Sequence, residues 1–112
     1  DPLDKIIQDF IERWFQGWSA TPEEQRVKFL SIADSIAQHP DFVAKYHDNP
    51  DPHNRELAFE KILRDIMLQR RREELELYKL FAGDDSFKVS FMQSMKQAVA
   101  QKTHQQVGSG LP

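Results

Sequence analysis

The sequence predicts an all-α protein: one compact domain of about four long helices and one short helix. Apolar residues recur at offsets of three and four through most of the chain, the period of a helix with one buried face. Helix-start signals, Asp1-Pro2 and Thr21-Pro22-Glu23-Glu24, stand directly before two of these stretches. No run alternates apolar and polar residues as a half-buried strand does, and no internal repeat is present. With 112 residues, 39% of them hydrophobic and eight of them Phe, the chain suffices for one domain with a substantial core.

The first helix reads DPLDKIIQDFIERWFQGW, with Asp1 as cap, Pro2 at the first helical position and Asp4 at the positive end of the helix dipole. Leu3, Ile6, Ile7, Phe10, Ile11, Trp14, Phe15 and Trp18 share one face. Thr21 and Glu24 have the spacing of a capping box. The helix they open is expected to run to about His39 with Val27, Leu30, Ala33, Ile36 and Ala37 inward. Pro40 stops it, because the residue before proline is pushed out of the helical region.

Two short turns over PDFVAKYH would anchor through Phe42, Val43 and Tyr46. HDNPDPHN is a connection rich in turn formers. A single long helix is expected over roughly 53–82, ended by Gly83 as the left-handed residue past its last turn. Asp84 or Asp85 then caps a last helix over about 86–103, burying Phe87, Phe91, Met92, Met95, Ala98 and Val99. The domain thus spans 1–104, and residues 105–112 read as a flexible tail, either natural or appended. A chain that begins Asp1-Pro2 without methionine reads as part of a longer protein.

No cysteine is present, so disulfides and cysteine-held metals are excluded and a reducing compartment is the simpler expectation. No apolar run approaches the ~20 residues of a membrane span. The net charge of −3 is unevenly spread. Residues 1–85 carry 12 basic and 18 acidic groups, whereas residues 86–112 carry Lys88, Lys96 and Lys102 and no acid. A polyanion would meet the C-terminal helix more readily than the N-terminal one.

Three consecutive arginines, Arg70, Arg71 and Arg72, occupy the middle of the long helical pattern, followed by Glu73 and Glu74. At about 100° per residue they cannot form one patch. Winding a single helix from Lys61 places Phe59, Ile62, Leu63, Ile66, Met67, Leu77, Tyr78, Leu80 and Phe81 in one apolar sector, with Arg70 near its centre. Arg70 is therefore expected to brace the helix by pairing with Glu73 or Glu74, the alternative being that the stripe breaks because this turn leaves the domain's core and meets another surface.

Lys61, Arg64, Arg71, Arg72 and Lys79 fall on the opposite stripe, interleaved with Leu68 and Leu75. That stripe either faces a polyanion or an acidic partner, or is a solvated face whose cations pair with Glu60, Asp65 and Glu76. A polyanion site would use this stripe or Lys88, Lys96 and Lys102, with Trp18 or Tyr78 stacking on an unpaired base. Trp14, Phe15 and Trp18 could each stack on a base, but aromatics at helical spacing more often belong to the core.

Catalytic and metal motifs are missing. There is no phosphate-cradling GxxxxGK[ST] loop, and three of the four glycines stand at or past position 83. The four histidines lack ligand spacing, and His47, Asp48, Asp51 and His53 in the connection read as turn formers. No metal site and no catalytic residue is expected.

NRELAFEKILRDIMLQRRREELELYKLF (54–81), WFQGWSATPEEQRVKF (14–29) and HPDFVAKY (39–46) together resemble the extreme C-terminal region of the motor subunit of type I restriction–modification enzymes, closest to the type IC branch. The likeness covers nearly all of residues 3–100. It implies a large, cytoplasmic bacterial parent that moves DNA with ATP and magnesium and cuts it far from the recognition site. No nuclease or motor motif lies in these residues, so no catalytic residue carries over. What the resemblance implies for this stretch is docking of the motor onto the methyltransferase core of modification and specificity subunits, with DNA contact as a further expectation. Leu57, Leu68 and Leu75 are the candidates for the docking face. The stretch requires no cofactor, and ATP at a basic stripe is the nucleotide form of the polyanion reading.

Overall fold

The computed structural model describes residues 1–14 and 21–110, with side chains described through Thr103. Five α-helices and one short π-helical segment make up the fold, and no strand occurs among the described residues. The helices are α1 (Pro2–Trp14), α2 (Pro22–Gln38), α3 (Pro52–Gln69), α4 (Leu75–Gly83) and α5 (Asp85–Gly110). The π-helical segment, Phe42–His47, lies between α2 and α3.

The start signals act as their chemistry requires. Asp1 Oδ1 accepts from the Leu3 amide at 2.9 Å, and Thr21 Oγ1 accepts from the Glu24 amide at 3.1 Å. Each satisfies a donor that the first helical turn leaves without a backbone acceptor. Asp51 does the same for α3, accepting from His53 N at 3.0 Å, with Pro52 at the first position. Asp84 Oδ1 accepts from Phe87 N at 3.0 Å and opens α5. His39 leaves α2 with extended backbone (φ −63°, ψ 138°), as a residue before proline must.

The expected single helix over 53–82 is two helices. α3 stops at Gln69, a turn occupies residues 70–73, and α4 begins at Leu75. Neither glycine nor proline causes the break. The Arg70 amide donates to both Ile66 O (3.1 Å) and Met67 O (3.2 Å), and the Glu73 and Glu74 amides both reach Arg70 O. The chain tightens there around the Arg70 carbonyl, which accepts from both amides.

Gly83 is the last residue of α4 rather than a left-handed residue beyond it. Asp84 serves as C-cap of α4 and as the side-chain cap of α5, so one residue joins the two helices. α5 extends past the expected end near 103, through a stretch with no proline to stop it.

α5 is the hub, packing against α1, α2, α3 and α4. Its Phe91 is fully buried and meets Phe10 (ring centroids 5.1 Å), Phe87 (5.2 Å), Phe29 (6.4 Å) and Phe81 (6.4 Å). All six core residues expected on the last helix are buried. On α1, Leu3, Ile7 and Phe10 are buried and Trp14 is half-buried, its indole Nε1 donating to Ser90 Oγ at 2.8 Å. Phe15 and Trp18 lie outside the described residues.

Two expected core positions face solvent. Val27 is 56% exposed because the buried stripe of α2 runs through Gln25, Phe29, Ile32, Ala33 and Ile36, leaving position 27 on the far side. Val43 is also exposed, and Phe42 and Tyr46 alone anchor the π-helical segment, Tyr46 against Phe59 at 5.0 Å. The Asp48 amide closes that segment on Val43 O at 2.8 Å, the five-residue span of a π turn.

Candidate functional site: the α3–α4 turn and its basic, leucine-bearing face

The arginine triplet coincides with the turn between α3 and α4. Arg70 does not pair with Glu73 or Glu74. Its Nη2 donates to Ser35 Oγ at 2.7 Å, Ser31 Oγ at 3.0 Å and Ser31 O at 3.3 Å, all on α2. Glu74 instead accepts from Lys28 Nζ at 2.7 Å, also on α2. Lys28, Ser31 and Ser35 are spaced by three and four, so they line one edge of α2 and hold the turn from that side. The expected intrahelical pair fails because the helix ends at Arg70. Its place in the apolar sector points the guanidinium at a neighbouring helix, where two small hydroxyl side chains accept it.

Arg71 and Arg72 are exposed, as is Lys61. Among the described residues none of these three has an ion-pair or side-chain hydrogen-bond partner. The other cations of the predicted stripe are paired: Arg64 with Glu60 at 3.0 Å and Lys79 with Glu76 at 3.7 Å. Asp65 faces His39 at 3.4 Å. The three C-terminal lysines are each engaged by an acid from another helix: Lys88 by Glu60 (2.9 Å), Lys96 by Glu56 (2.6 Å) and Lys102 by Asp34. The positive charge that the sequence assigns to α5 is thus partly neutralised in the fold.

Glu60 accepts from both Lys88 and Arg64. The Lys88 hydrogen bond, opposed by partial burial and supported by the charges of Lys88 and Arg64, holds its carboxyl below the ordinary carboxylate range.

Leu57, Lys61, Arg64 and Leu68 follow one another along a single stripe of α3 at offsets of four, three and four. Leu57 is 50% exposed, Leu68 41% and Leu75 47%. Arg64, Leu68, Tyr78 and Lys88 meet around one cleft of about 180 Å³, with Phe81 at its base. The fold therefore brings together residues from all three sequence-predicted roles. Trp18, the second stacking candidate, lies outside the described residues.

Sequence reasoning passed over Lys28, Ser31 and Ser35. Their helical spacing was visible, but nothing in it named Arg70 and Glu74 as counterparts. Among the described residues no three His, Asp or Glu side chains cluster closely enough to hold a metal ion, and no helix is long and apolar enough to cross a membrane. Neither family profiles, nor curated proteins, nor solved structures yield a match to this chain.

Proposed function

We propose that this chain is a non-catalytic docking module, the terminal helical domain of a type I restriction-enzyme motor subunit, which fastens that subunit to the methyltransferase core. The observation that carries the reading is the exposure of Leu57 and Leu68 on one stripe of α3, with the unpaired Lys61 between them, and of Leu75 at the start of α4, with the unpaired Arg71 and Arg72 in the turn that joins the two helices. Exposed leucines gain by burial against a second protein, and cations beside them set orientation by pairing with its acids. The resemblance over residues 3–100 supplies the identity of the partner. Deleting this domain from the full subunit should abolish capture by the modification and specificity subunits, and with it translocation and cleavage. Capture of the truncated subunit at undiminished affinity would overturn the reading.

A second reading rests on the same three cations: contact with the phosphate backbone of DNA or with a nucleotide such as ATP. Arginine forks suit phosphate, and the pairing of Lys88, Lys96 and Lys102 leaves Lys61, Arg71 and Arg72 as the better candidates. Salt dependence decides it. Phosphate contact requires an affinity for DNA that falls steeply with salt and weakens when Arg71 and Arg72 are reversed in charge.

A further inference from the structure

On the opposite side of α3 from the leucine stripe lies a second cleft, of about 360 Å³, lined by Phe42, Tyr46, Arg55, Lys96, Val99 and Thr103 among others. Arg55 stands out chemically. Its guanidinium carbon sits 5.3 Å from the centroid of the Tyr46 ring, and its Nε is buried with no hydrogen-bond acceptor among the described residues. It makes no ion pair among those residues either. The acids beside it are committed: Glu56 to Lys96 and Asp51 to capping α3. A buried arginine N–H without an acceptor is an uncommon cost, because a guanidinium has five donors and no acceptor of its own.

The surroundings define what the rest of the guanidinium, which is not buried in this way, would hold. Phe42 and Tyr46 meet at 5.5 Å with their rings tilted by 36° and form an aromatic, apolar wall, and Val99 and Thr103 of α5 line the same cleft. One unpaired guanidinium, with Lys96 already sharing its charge with Glu56, matches a single anionic head group rather than a run of phosphates. We propose that this cleft binds a small organic oxyanion with a flat, apolar body. Its carboxylate or monophosphate would take the Arg55 fork and its ring would lie against Tyr46 and Phe42. The site is separate from the proposed docking face and stands or falls independently of it.

The test is titration of the 112-residue chain, followed by backbone amide NMR, with indole-3-acetate as the carboxylate probe and adenosine monophosphate as the phosphate probe. Saturable shifts centred on Tyr46, Arg55 and Ala100 are expected with at least one of them. Response to one alone identifies the head group; response to both leaves oxyanion recognition general. Arg55→Gln should weaken binding by about tenfold, the loss expected for one charge-assisted hydrogen bond, while Arg55→Lys should lose less. Ala100→Phe, at an exposed position on the cleft wall, should block entry with Arg55 and the core intact. Absence of saturable shifts with both probes would overturn the proposal. So would undiminished affinity in either Arg55→Gln or Ala100→Phe.

Discussion

Arg70 Nη2 donates to Ser35 Oγ at 2.7 Å across the interface between α2 and the α3–α4 turn. This contact, with the neighbouring bonds to Ser31, turns a polar break in an apolar stripe into a tertiary anchor. Arg70→Ala should destabilise the fold by about 1.5–3 kcal/mol, the range for hydrogen bonds to a charged donor, and Ser35→Ala by about 1 kcal/mol. Urea unfolding of both single variants and the double variant checks the pairing. Additive losses would show that the two side chains act separately.

Phe91 stands at the centre of the aromatic cluster and Leu63 is equally buried. Phe91→Ala and Leu63→Ala should each cost about 2–5 kcal/mol through the cavity left behind. Val27→Ala and Val43→Ala, at exposed positions, should stay within about 0.5 kcal/mol of the parent. The contrast is readable in melting temperatures, and comparable losses at Val27 would mean that α2 presents a different face to the core.

Glu60 adds a pH dependence. Its folded pKa lies below the unfolded value, about 4.3 for a glutamate, so it stabilises the fold above that value. The contribution fades as pH falls through the unfolded and then the folded pKa. Glu60→Gln should therefore be less stable than the parent at pH 7, and the gap should close on acidification below the unfolded value. Denaturant titrations at neutral and acid pH measure it; a gap that stays constant would mean the carboxylate charge contributes nothing.

Leu68 and Leu75 border the turn and are exposed, so Leu68→Glu with Leu75→Glu should leave the fold within about 0.5 kcal/mol of the parent. The same double variant in the full motor subunit should weaken capture by the methyltransferase core at least as strongly as reversal of Arg71 and Arg72. Capture assays with both variants test this, and undiminished capture of the leucine variant would exclude this face as the interface.

Sequence alone determined what depends on near neighbours. Thr21 and Asp51 cap because a short side-chain oxygen reaches an amide two or three residues ahead. His39 ends α2 because Pro40 follows it. The inward face of the last helix was legible for the same reason, since one turn of helix fixes which of Phe87, Phe91 and Met95 align.

Tertiary structure decided what depends on distant partners. Val27 and Phe29 are both apolar on a single helix, and only packing against the other helices determined that Phe29 turns inward. The break after Gln69 has no glycine or proline to announce it. It is held by Arg70 on Ser31 and Ser35, and by Glu74 on Lys28, contacts spanning 35 to 46 residues. Net charge along the sequence made α5 look basic, but Glu60, Glu56 and Asp34 arrive from other helices to pair with its lysines. Among the described residues Lys61, Arg71, Arg72 and Arg55 are instead among the cations without an ion pair, and a side chain's charge is available to a ligand only where folding has left it without a counterion.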